Sequence, residues 1–191
     1  PQTIRTAPEK VVERLRKLRC RHTAYPYPAD VDWTKWESVD SLVADLDRAG
    51  SVLRQAGQVL TYHNHATEFF RLPGTGQTAL DYLYAKTSPQ NLQAEIDTYW
   101  VQHGGGDPVA WCRKLRGRLP LLHLKDYEVT AEQKPNYAAI GQGNLDWPAI
   151  LAAAGEAGCQ WYIVEQDVCP GDPFDSLRTS FDYLAAHTDG H

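Results

Sequence analysis

Val59-Leu60-Thr61-Tyr62-His63-Asn64-His65-Ala66-Thr67-Glu68-Phe69 is a short apolar run that ends abruptly in two imidazoles, an amide and a carboxylate. In a strand, side chains alternate between faces, so His63 and His65 share one face while Tyr62 and Asn64 take the other. Two candidate ligands then stand at one strand end. Three later stretches repeat the design: Leu92-Gln93-Ala94-Glu95-Ile96-Asp97, Leu119-Pro120-Leu121-Leu122-His123-Leu124-Lys125-Asp126 and Trp161-Tyr162-Ile163-Val164-Glu165-Gln166-Asp167. Each is an apolar run whose far end can hold a metal or move a proton.

Outward from these strands the pattern is helical. Thr6-Ala7-Pro8-Glu9 has the form of a capping box ahead of Val11, Val12, Leu15 and Leu18, which predicts a helix over about residues 7–18. His22-Thr23-Ala24-Tyr25 reads as a strand running into a proline-fixed loop. Leu42, Val43, Leu46, Ala49, Val52, Leu53 and Ala56 form an amphipathic stripe stopped by Gly57. Leu80, Leu83 and Tyr84 mark a short helix, and Asp107-Pro108 opens another. A polar stretch follows Lys125, then a very short strand at Ile140, the turn Gly141-Gln142-Gly143-Asn144, a helix start at Asp146 and a last helix after Gly171-Asp172-Pro173. Strand and helix alternate about six times, and several strands are apolar on both faces. The fold class is therefore α/β with a parallel sheet covered by helices. Functional residues at many strand ends favour a (β/α) TIM barrel over an open sheet with one switch-point crevice.

A chain of 191 residues reads as a single domain, 1–191, long enough for a substantial core. Its net charge of -5 disfavours a nucleic-acid partner. No run has the apolar length that spans a membrane, and the polar start does not resemble a signal peptide, so a cytoplasmic location is expected. Cys20, Cys112, Cys159 and Cys169 are scattered without a CxxC pair and read as reduced, mostly packed thiols.

Asp97, His123 and Glu165, with His63 or Glu68, offer oxygen and imidazole ligands from separate strand ends, a mixture suited to Mn, Zn, Co or Fe(II). Ordinary polar strand ends would account for any one of them alone. Lys125 shares parity with His123 and can bind a substrate oxygen, or else pair with Asp126 or Glu165. His22 lies near the same end of the fold. Tyr25, Trp33 and Trp100 offer a sugar-stacking wall, with core packing as the plainer alternative. The glycines of Gly141-Gln142-Gly143-Asn144 lack the lysine and spacing of a phosphate loop and read as a tight turn.

With those residues in view, the chain resembles the sugar phosphate isomerase/epimerase-like superfamily of xylose-isomerase-type TIM barrels, which includes inosose dehydratase-like and endonuclease-IV-like enzymes. The resemblance rests on Tyr62 to Phe69, Asp97-Thr98-Tyr99-Trp100, His123-Leu124-Lys125-Asp126, Gly141 to Trp147 and Val164-Glu165-Gln166-Asp167, in order over nearly the whole chain. It implies a divalent metal (Mn, Zn, Co or Mg) held by a Glu, Asp, His, Glu set. Three of these carry over as Asp97, His123 and Glu165, while the remaining place falls to His63 or Glu68. The family barrel has eight strands, and this sequence corresponds to six βα units, starting after the second strand. A bare sheet edge there argues for a homo-oligomer or another covering chain.

The resemblance implies a metal-dependent isomerase or epimerase of a sugar, sugar phosphate, keto-sugar or cyclitol. It would act by proton removal next to a carbonyl through an enediolate, with Glu165 or Glu68 as base and His63 or His65 as alternatives, and with His22, Tyr25, Trp100 and Lys125 near the substrate. An inosose dehydratase-like lyase is the first alternative. Abasic-DNA hydrolysis and a non-catalytic sugar-binding or partner subunit are the others.

Overall fold

The computed structural model describes residues 1–28 and 30–187. The chain divides into two compact units, Pro1–Glu95 and Ile96–His191.

The first unit opens with helices α1 (Gln2–Thr6) and α2 (Pro8–Leu18), followed by strand β1 (His22–Tyr25) and helix α3 (Trp36–Gln55). Strand β2 (Val59–His63), helix α4 (Ala79–Lys86) and strand β3 (Leu92–Asp97) complete it, β3 running on into the second unit. Both strand pairings are parallel, with His22 beside Val59 and His63 beside Glu95. α3 buries Val39, Leu42, Val43, Leu46, Ala49 and Leu53, the three- and four-residue spacing of one helical face. Gly50 lies in that face because a Cβ there would come 1.9 Å from the Asn91 carbonyl oxygen.

The start of the chain departs from the predicted capping box. Ala7 is the N-cap of α2 and makes no side-chain cap bond, while the Thr6 hydroxyl donates back to the Gln2 carbonyl. Thr6 belongs to a preceding helical turn, so its hydroxyl closes that turn rather than opening the next. A true capping box stands at α4, where Thr78 and Asp81 exchange bonds.

The second unit carries α5 (Thr98–His103), α6 (Pro108–Lys114), β4 (Leu121–Leu124), β5 (Asp126–Val129) and β6 (Pro135–Ala138). It continues with α7 (Trp147–Ala157), β7 (Trp161–Val164) and α8 (Pro173–His187). Asp97, Asp107 and Asp146 cap α5, α6 and α7, and Gly158 closes α7 in the left-handed conformation with φ 87°. β4 and β7 are parallel. The polar stretch after Lys125 is an antiparallel hairpin of β5 and β6, with Tyr127 opposite Tyr137. No strand forms at Ile140, whose N–H donates to the Ser180 hydroxyl. Five parallel strands are thus present among the described residues in place of six. β7 and α8 expose Trp161, Tyr162, Ile163, Phe174, Leu177 and Phe181. No described helix is long and apolar enough to cross a membrane.

Candidate functional site

In the second unit, strand ends bring together Asp97, His123, Lys125 and Glu165, four of the groups singled out from sequence. Asp97 is fully buried and divides its two oxygens: Oδ1 accepts from the Trp100 N–H at 3.0 Å as the N-cap of α5. Oδ2 lies 3.7 Å from His123 Nδ1 and 3.4 Å from Lys125 Nζ. Glu165 Oε2 is 2.9 Å from the same imidazole nitrogen and 3.0 Å from the same ammonium. Asp167 Oδ2 makes a third contact with Lys125, at 3.1 Å. Donors around one ion at metal–ligand distances of about 2.0–2.2 Å stand roughly 3–4 Å apart. Asp97, His123 and Glu165 thus offer a carboxylate, an imidazole and a carboxylate, donor types that divalent cations take, with the two carboxylates 3.7 Å and 2.9 Å from the imidazole nitrogen.

Lys125 is the centre of charge in this cluster. Its side chain is 3% exposed. Burial alone would lower its pKa, but Asp97, Glu165 and Asp167 outweigh burial and raise it. The ammonium is 5.7 Å from the centroid of Trp100 and 5.9 Å from that of Tyr137. Trp100, expected as a stacking wall for substrate, thus faces the lysine. Thr98 holds the backbone beneath: its hydroxyl lies 2.8 Å from the Lys125 carbonyl and 3.0 Å from the Lys125 N–H.

Tyr137 had no place in the sequence-based set. It arrives on the hairpin, stacks on Tyr99 with centroids 4.4 Å apart, and has its pKa raised by burial, by Tyr99 and by Asp167. It also lines a polar cavity of about 510 Å³ with Glu128, Asn136, Gln142, Gln166 and Asp175. The only available sequence signals were the parity Asp167 shares with Glu165 and the strand-favouring Tyr127 and Tyr137.

Asp126 does not pair with Lys125. The two adjacent residues face opposite sides, and Asp126 accepts from the Gly141, Gly143 and Tyr127 N–H groups and from Trp147 Nε1. The glycine segment is indeed a turn, with φ 84° at Gly141. At Gly143 a Cβ would come 2.5 Å from Asp126 Oδ1.

In the first unit His63 is buried at the end of β2, its ring 5.1 Å from that of His65, in keeping with the face the two were expected to share. His65 also meets Tyr27 edge-on at 5.7 Å. His22 is partly exposed, its pKa lowered chiefly by burial. Tyr25 is a correction. At 2% exposure, stacked on Tyr62, it belongs to the core and offers no face to a sugar.

Glu68 is fully buried, with both oxygens engaged: Oε1 accepts from the Tyr62 hydroxyl at 2.7 Å and Oε2 from the His65 N–H at 2.8 Å. Burial raises its pKa above the usual 4.5, and the bonds from Tyr62 and His65 only oppose that. A raised folded pKa contributes stability that is fully present below the unfolded value and lost as pH rises through the folded one. Wild type should therefore gain stability over the non-titrating Glu68→Gln as pH falls from neutral towards 4.5. Urea unfolding of both proteins across that range tests this, and parallel profiles would show the carboxyl to be unstrained.

Among known proteins, the chain resembles the inosose dehydratase of Lacticaseibacillus casei, 28% identical over 181 residues, covering 84% of this chain and 56% of that protein. It also resembles the inosose dehydratase of Geobacillus kaustophilus (strain HTA426), 29% identical over 170 residues, covering 79% and 52%. The chain thus spans about half the length of the curated relatives it matches. A solved sugar phosphate isomerase/epimerase from Parabacteroides distasonis ATCC 8503 superposes with a TM-score of 0.80 at 25% identity, over 97% of this chain and 65% of that one. The parallel strands, the helices between them and a match of residues 5–187 to the family model agree: the chain belongs to the xylose isomerase-like TIM barrel family.

Proposed function

We propose that this chain carries the metal-ligating and proton-transfer groups of an enzyme that removes a proton from carbon next to a carbonyl in a small keto-cyclitol or keto-sugar. The observation that carries this is the meeting of Asp97, His123 and Glu165 around Lys125. A divalent cation (Mn, Zn, Co or Mg) held by Asp97, His123 and Glu165 would supply Lewis-acid polarisation of the substrate carbonyl. Glu165 takes the proton, its side chain 40% exposed and so open to a ligand. Lys125, fixed by three carboxylates, holds a substrate oxygen beside the ring of Trp100. In the first unit we assign the ligand or base role to the His63 imidazole, because the oxygens of Glu68 are committed to Tyr62 and His65. The cavity beside Tyr137 has the size and polarity to seat hydroxyl groups.

Once the proton is removed, loss of a β-hydroxyl gives dehydration, and the inosose dehydratases among the relatives favour that outcome. Return of the proton gives isomerisation or epimerisation, the second reading, favoured by the Parabacteroides distasonis structure. The test is incubation of the purified chain with Mn(II) or Co(II) and a keto-cyclitol in D2O. Expected are a bound divalent ion and either a conjugated enone or deuterium at the carbon next to the carbonyl. Neither product, with metal demonstrably bound, would overturn the reading in favour of a binding role.

A further inference from the structure

Glu95 stands opposite His63 across the parallel β2–β3 pair, and both side chains are enclosed, 8% and 5% exposed. Glu95 Oε1 is 3.3 Å from His63 Nδ1, and Oε2 is 3.2 Å from the hydroxyl of Thr61, two residues earlier on the same face of β2. The imidazole contact is within ion-pair range but falls short of hydrogen-bond geometry. Contacts of this kind are often long in the absence of ligand and tighten when one is bound. A carboxylate in so enclosed a place is costly to bury unless partners are provided. Thr61 and His63 are such partners in the first unit.

We infer that Glu95 is a positioning residue for His63: it accepts Nδ1–H, Thr61 steadies its second oxygen, and the ring is thereby kept in the tautomer whose Nε2 is unprotonated. A histidine that ligates or acts as a base is commonly fixed in this way by a carboxylate on its other nitrogen. The use of Nε2 rests on the proposed function. The tautomer is set within the first unit and does not.

The experiment is a two-bond ¹H–¹⁵N correlation on the full chain labelled at histidine, near pH 8.5 where imidazole is neutral, with the His63 signals assigned by their loss in His63→Gln. Wild type should show His63 protonated at Nδ1. Glu95→Gln keeps an acceptor oxygen and should retain that state, whereas Glu95→Ala should shift the ring towards Nε2–H. Should Glu95→Ala fail to fold, Thr61→Val provides the second variant, expected to give mixed tautomers. An Nε2–H ring in wild type, or an unchanged tautomer in a folded Glu95→Ala or in Thr61→Val, would overturn the inference. A wild type with the expected tautomer but no affinity for Mn(II) would sink the metal reading and leave this one standing.

Discussion

Asp126→Ala destabilises the second unit by about 3–5 kcal/mol or prevents its folding, the range typical of stripping a buried charge from its partners. The carboxylate is fully buried and accepts from the Tyr127 N–H at 2.8 Å, Gly141 N–H at 2.9 Å, Gly143 N–H at 3.0 Å, Leu145 N–H at 3.4 Å and Trp147 Nε1 at 2.7 Å. Alanine leaves these donors facing a void too enclosed for easy solvation, and each unpaired buried donor costs about 1–3 kcal/mol. The losses overlap because one loop carries most of the donors. Asp126→Asn should also destabilise, since its amide nitrogen would face donors on one side. Urea unfolding followed by the fluorescence of buried Trp147 reads the effect. A loss under about 1 kcal/mol would mean the loop has another anchor.

Strands β2, β3, β4 and β7 were legible because each is an apolar run with an ionisable end, and an all-parallel layer needs such runs on both faces. The β5–β6 hairpin was not. Asp126-Tyr127-Glu128-Val129 and Pro135-Asn136-Tyr137-Ala138 lack an apolar run, and their pairing is fixed by partners remote in sequence. Asn144 Oδ1 accepts the Val129 N–H, and the Asn144 N–H donates to the Tyr127 carbonyl. Ile140 looked like a strand because it is apolar before a glycine turn, yet its burial comes from packing under α8, where Ser180 takes its N–H.

The site was legible to the extent that parity along a strand determines it. His123 and Lys125 share a face, as do Glu165 and Asp167, and all four meet at Lys125 or His123. The same rule pairs Glu95 with Asp97 and could have nominated Glu95 beside His63. Parity could not reveal that Lys125 ignores its neighbour Asp126, because the choice depends on the amide cluster at Gly141 and Gly143 competing for that carboxylate. Nor could it reveal that Tyr25 is core, since an aromatic at a strand end suits either a wall or a packed interior.

Glu165→Gln should leave the fold in place and lower turnover by about 10²–10⁴-fold, the span of a lost general base. The residue stands at the end of β7, is 40% exposed, and touches only His123 and Lys125 among the charged groups described. Glutamine preserves its shape, and the buried Lys125 ammonium keeps Asp97 and Asp167 as partners, so the unfolding free energy should move by less than about 1 kcal/mol. Weaker metal binding would also slow the reaction, and the two causes separate by titration. If Glu165 only ligates, raising Mn(II) restores the rate once the site is filled. If it moves the proton, saturation with Mn(II) restores occupancy and leaves deuterium exchange slow. A variant with the wild-type exchange rate at ordinary Mn(II) would remove Glu165 from both roles. The proton-transfer assignment would then pass to His63, the base assigned in the first unit.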